Sequence, residues 1–113
     1  MVVTTMVMML SLAGTSWAMP DKPKQFVEFN ASKISGNAGC NHFNGSFEQN
    51  GATVEIGRLA TTRMACKPDI MIEEAKFLHN LEQTASFEVS GSQLVLKNTS
   101  GDIILKLNRK DVG

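Results

Sequence analysis

Two cysteines, set in polar bends and separated by strand-like sequence, constrain this chain more than any other feature. The first lies in Ser35-Gly36-Asn37-Ala38-Gly39-Cys40-Asn41-His42-Phe43-Asn44-Gly45-Ser46-Phe47 and the second in Thr61-Thr62-Arg63-Met64-Ala65-Cys66. Glycine and asparagine crowd around Cys40, as a tight loop requires where it needs positive backbone angles and local side-chain hydrogen bonds. The composition predicts a loop of defined shape over Gly36–Asn44. An even cysteine count in an exported chain favours a disulfide, which would stabilise a loop of this size by about 3–4 kcal/mol. The alternative is two buried, reduced thiols packed as small apolar groups.

The chain of 113 residues is long enough for one core and too short for two. Lys plus Arg equals Asp plus Glu at 11 each, so no net field draws the protein to nucleic acid, and a nucleic-acid partner is not expected. No apolar run reaches the length of a spanning helix. Every charged residue lies from Asp21 onward, and Val2 to Leu12 is hydrophobic, which suits export. Ser16-Trp17-Ala18 offers small residues at a cleavage site, although no basic residue precedes Lys22. A cut earlier than Ala18, or none, fits better than a cut after it. On the alternative reading, Leu12 to Met19 is the first strand and Trp17 packs in the core. Residues 1–11 are therefore assigned to a hydrophobic export segment and residues 12–110 to the domain.

Short alternating segments follow. Val27 and Phe29 share one face of a strand over Gln25–Asn30, with Phe26 on the other, and Lys33–Ser35 opens the next strand. Phe43, Gly45 and Phe47 line one side of a half-buried strand. Asn50-Gly51 marks a two-residue hairpin turn into Ala52–Ile56. Lys67-Pro68-Asp69 then changes the period. Proline suits a first helical turn, and Ile70, Phe77, Leu78 and Leu81, interrupted by Glu74, form the apolar stripe of a helix over Pro68–Gln83. Ala85–Val89, Gln93–Lys97 and Asp102–Arg109 complete a meander turning at Ser90-Gly91 and Asn98–Gly101, with Ile103, Leu105 and Leu107 on one face. Seven or so strands and one helix predict a mainly β, small antiparallel sheet curled like a barrel.

With these motifs placed, the chain resembles the META domain (HslJ-like) family. The resemblance rests on Ser35 to Phe43, on Gly45-Ser46-Phe47, and on Ile56-Gly57-Arg58-Leu59-Ala60-Thr61-Thr62-Arg63-Met64-Ala65-Cys66. Leu12-Ala13-Gly14-Thr15-Ser16-Trp17 also looks like the family's opening strand. Thr15 stands where a bacterial lipoprotein would carry its lipidated cysteine, so a lipid anchor is not expected. The resemblance implies a lipocalin-like topology, residence in the periplasm or cell envelope, and a part in the heat-shock or stress response. It implies no catalytic residues.

Several polar residues of the two bends are candidates for chemistry. A metal site from Cys40, His42, Cys66 and His79 lacks the usual paired ligand spacing, and no metal or cofactor is expected. Cys40 as a nucleophile with His42 as base lacks a third group to orient the imidazole. Asn41 and Asn44 suit Asx-type bonds that fold the loop backbone. Arg63 could meet a partner's carboxylate or face inward onto carbonyls or a carboxylate, and the inward role is favoured. Asn41, His42 and Arg63 thus form the expected recognition or structural polar site. The sequence points to a non-enzymatic, monomeric envelope protein with an unidentified protein or small-ligand partner. Two other readings stand beside it: an inhibitor or interaction module using Gly36–Asn44 and Thr61–Cys66, and a carrier of a small apolar ligand.

Overall fold

Alternation of apolar and polar side chains decides which residues share the interior, and the strands obey it. The structure is a computed structural model that describes residues 11–110. Nine strands are present among these residues: β1 (Thr15–Ala18), β2 (Gln25–Phe29), β3 (Lys33–Ala38), β4 (His42–Asn50), β5 (Thr53–Ile56), β6 (Ala60–Thr61), β7 (Ser86–Ser90), β8 (Gln93–Lys97) and β9 (Ile103–Arg109). One helix, α1 (Pro68–Glu82), joins β6 to β7. The hydrophobic segment assigned to export lies almost entirely outside the described residues.

All pairings are antiparallel, and β3 pairs with both β2 and β4. The sheet therefore closes into a ring in the order β3, β2, β1, β9, β8, β7, β5, β4 and back to β3. Two seams are thin. Strands β1 and β9 align only Trp17 with Arg109 and Ala18 with Asn108, and β5 meets β7 at Thr53 and Ser86. The ring is consequently curled without being a regular barrel. The long β4 carries β5 along its second half and the short β6 along its first.

The core fills the ring. Val27 and Phe29 of β2 point inward, as their spacing requires, and the Phe29 and Phe47 rings lie 4.8 Å apart. Trp17 is fully buried within β1, in agreement with the strand reading of Leu12 to Met19, and its indole N–H donates to Thr15 Oγ1 at 2.8 Å. Phe26 turns outward, where the Lys110 ammonium sits 3.7 Å from its ring centre. Helix α1 begins with Pro68 in its first turn and buries Phe77 and Leu81, Phe77 meeting Phe43 edge-on at 6.1 Å.

Several boundaries differ from the sequence expectation. The loop foreseen over Gly36–Asn44 is mostly strand: β3 continues to Ala38, β4 begins at His42, and only Gly39–Asn41 bends. Gly36 is used for closeness, since a Cβ there would lie 2.1 Å from the Phe26 carbonyl oxygen. The hairpin turns are shifted by one residue. Asn50 pairs with Thr53 and Ser90 with Gln93, so Gly51 and Gly91, at φ 65° and 60°, occupy the first turn position and Asn50 remains in the strand. Ile103 is exposed and not in the core face, because Leu96 pairs with Leu105 while Lys97 pairs with Ile103, a bulge that re-aims the start of β9.

A clamped bend and its adjoining groove

The three-residue bend Gly39–Asn41 is anchored from two directions. Cys40 and Cys66 form a disulfide with their Cα atoms 6.1 Å apart. Cys66 lies just before α1, so this covalent bond ties the bend to the start of the helix. The thiol alternative does not apply.

The second anchor is Glu74, one helical turn and more inside α1 and only 4% exposed. One carboxylate oxygen accepts the backbone N–H of Cys40 at 3.0 Å and of Asn41 at 2.6 Å. The other accepts Asn41 Nδ2 at 2.8 Å. A carboxylate brought into an apolar setting is tolerable when donors replace its water, and here three converge on it. Glu74 interrupts the apolar stripe in sequence, but the helix buries it with Phe77 and Leu81 on its inner face, while Ile70, expected in that stripe, is exposed. The available signal was an acidic residue at an inward helical position, which burial permits only with donors elsewhere in the chain.

Asn41 is the hub. It is 3% exposed, and its amide is fully used. Nδ2 donates to the Met64 carbonyl at 3.1 Å and to Glu74, while Oδ1 accepts the Met64 N–H at 2.6 Å and the Thr62 hydroxyl at 2.9 Å. One side chain thereby joins the bend, the strap 62–67 that follows β6, and α1. This is a wider role than local loop folding. Asn44, by contrast, is exposed on β4.

The other expected site residues are not part of this network through their side chains. His42 is exposed and is held through its backbone N–H, which donates to Thr62 Oγ1 at 3.1 Å. Arg63 is exposed and has no ion pair among the described residues, so the inward-facing role is not realised. Asn41 is thus gathered with the cysteines, and the side chains of His42 and Arg63 stand at the surface beside them.

On the helix side of the bend is a groove of about 510 Å³ lined by Lys22, Pro23, Lys24, Gln25, Gly39, Asp69, Ile70 and Glu73. Lys22 and Glu73 bridge across it at 2.7 Å. The Lys22 ammonium, by hydrogen bond and by charge, holds the Glu73 carboxyl below the ordinary glutamate range; Lys76 adds a weaker pull. Gln25 lies beneath, 4% exposed, donating from Nε2 to the carbonyls of Ala38 at 3.0 Å and Glu73 at 3.3 Å.

A closed antiparallel ring with one helix tied to a cysteine bend defines the structural class. The META domain family profile matches residues 9–111, and the chain belongs to the META domain family. It is similar to a protein from Burkholderia xenovorans solved by NMR, with 27% identity over 88% of this chain and 83% of that one, at a TM-score of 0.69. A second protein solved by NMR shares 22% identity over 88% of this chain and 90% of its own, at a TM-score of 0.62, which shows the common fold. A search of curated proteins finds no significant match.

Proposed function

We propose that this META domain protein is a non-enzymatic component of the cell envelope that acts in the stress response by binding other proteins through its clamped end. The observation that carries this reading is the Cys40–Cys66 disulfide, a bond that persists in oxidising compartments and is rare where thiols are kept reduced. The uncharged first twenty residues support the same location. Both sulfurs are bonded to each other, so neither is held ready as a thiolate nucleophile. The stress role draws on family membership.

The interaction-module reading gains from one feature: residues 61–70 are all exposed, yet their backbone is pinned by Asn41 and the disulfide. A fixed exposed strap loses little freedom on binding. The carrier reading places its ligand in the groove, outside the ring whose interior the core side chains occupy.

Fractionation of the native cells combined with thiol trapping before lysis tests the proposal. The expected result is envelope-associated protein with both cysteines protected until reduction, and heat sensitivity on deletion of the gene that a wild-type copy reverses. Free thiols in a cytosolic fraction would contradict it.

A further inference from the structure

Asparagine followed by glycine is the dipeptide most prone to spontaneous deamidation, because the glycine nitrogen has no neighbouring side chain to hinder its attack on the asparagine carboxamide. The chain holds two such pairs, Asn44-Gly45 within β4 and Asn50-Gly51 at its end. Both asparagine side chains are exposed, so exposure does not separate them. Their backbones do.

Asn44 lies between two strands, paired with Ser35 of β3 and with Ala60 of β6. The bonds from Phe47 N–H to the Ser32 carbonyl and from Ala38 N–H to the Asn41 carbonyl set the phase of the β3–β4 ladder, which makes Ile34 and Gly45 a hydrogen-bonded pair. Attack by the Gly45 nitrogen therefore needs the sheet to open. Asn50, by contrast, ends β4 at a hairpin turn. Gly51 follows at φ 65°, and its N–H has no acceptor among the described residues. Reaction there needs only the terminal Asn50–Thr53 pair to fray, including the bond from the Thr53 hydroxyl to the Asn50 carbonyl.

We infer that Asn50 is a self-modification site at which the folded protein ages. The Gly51 nitrogen loses its proton and bonds to Asn50 Cγ, and the carboxamide nitrogen leaves as ammonia. Water then opens the resulting succinimide to aspartate or isoaspartate, so the step consumes water, releases ammonia and leaves every oxidation state unchanged. Its position gives the product a consequence. Thr53, the partner of Asn50, is also the residue through which β5 meets β7 at Ser86, one of the two thin seams of the ring. Isoaspartate lengthens the backbone by one carbon at that pair and so disturbs the register that presents Thr53 to Ser86. Either product also adds a carboxylate to the exposed face where Glu48 and Glu55 already stand opposite each other. The ring accordingly loosens where Val54 N–H meets the Ala85 carbonyl and Phe87 N–H meets the Ala52 carbonyl, each at 3.0 Å.

The test is incubation of the pure, disulfide-bonded protein in mildly alkaline buffer, followed by peptide mapping by mass spectrometry and enzymatic methylation of isoaspartate. In the folded protein, deamidation at Asn50 is expected to outrun that at Asn44 by about tenfold or more, and in urea the two rates should converge to within about threefold. Asn50→Gln, whose longer side chain closes the ring far more slowly, should remove the product at this position. The isolated isoaspartyl form should show faster hydrogen exchange at the Val54 and Phe87 amides, with those of β2 and β3 unchanged. Equal rates at Asn44 and Asn50 in the folded protein, or an intact Asn50 where the unfolded chain reacts, would overturn the site. Unchanged exchange at Val54 and Phe87 in the isoaspartyl form would overturn its effect on the seam.

Discussion

Asn41 and Glu74, 33 residues apart, meet through two hydrogen bonds, backbone N–H to one carboxylate oxygen at 2.6 Å and Nδ2 to the other at 2.8 Å. That pairing fixes α1 against the bend between β3 and β4, with both residues almost fully buried.

Removing the carboxylate leaves its donors stranded. Glu74→Ala strands the Cys40 and Asn41 backbone N–H groups and Asn41 Nδ2, and each unsatisfied buried group costs about 1–3 kcal/mol. A loss of about 3 kcal/mol or more is expected, read as a lower urea midpoint at unchanged slope. Glu74→Gln keeps the shape but turns a donor toward donors, so it should cost about 1–3 kcal/mol.

The disulfide stabilises independently. Closing a sequence separation of 26 residues restricts the denatured chain by about 3.5 kcal/mol. Reduction, or Cys40→Ser with Cys66→Ser, should lower stability by about that amount, yet leave a folded protein by near-ultraviolet circular dichroism because the Glu74 bonds survive. Unfolding on reduction at room temperature would show that the carboxylate contributes little.

Gly36 tests the β2–β3 approach. Its absent Cβ would fall 2.1 Å from the Phe26 carbonyl oxygen and 3.0 Å from the Phe43 ring, both fixed within the sheet. Gly36→Ala should therefore cost about 3 kcal/mol or more, or prevent folding, whereas Gly36 carries no such constraint if the segment is a free loop. Thermal melting of the variant decides between these outcomes.

The groove carries a pH signature. Glu73 is held below the ordinary glutamate range first by the Lys22 hydrogen bond and then by its charge. A carboxyl lowered on folding contributes stability above its unfolded value and loses it as pH falls through the lowered one. Lys22→Met should raise the Glu73 midpoint toward ordinary glutamate in a carbon-detected NMR titration. An unmoved midpoint would mean that the pair does not persist in solution.

Much of the fold was legible because it is local. Alternation placed Val27, Phe29, Phe43 and Phe47 inward, and the proline with its period of three to four placed α1. Where structure and sequence expectation differ, pairing geometry overrides composition. Gly36 and Asn37 read as loop but lie in β3 because β2 and β4 flank them, and the bulge opposite Lys97 turns Ile103 outward although its spacing from Leu105 is regular. The burial of Glu74 is not legible in the sequence. A carboxylate on an apolar stripe has no local explanation, and its donors at Cys40 and Asn41 belong to a distant bend. Asn41 stands out in the sequence of the bend, but its links to Met64 and Glu74 depend on the ring closing.

A double-mutant cycle on Asn41 and Glu74 is the most direct measurement. Urea unfolding of Asn41→Ala, Glu74→Ala and the double variant cancels the bonds Asn41 makes to Met64 and Thr62 and isolates the side-chain contact with the helix. A coupling of about 1.5–3 kcal/mol is predicted for a buried, charge-assisted bond; additivity within about 0.5 kcal/mol would contradict the clamp.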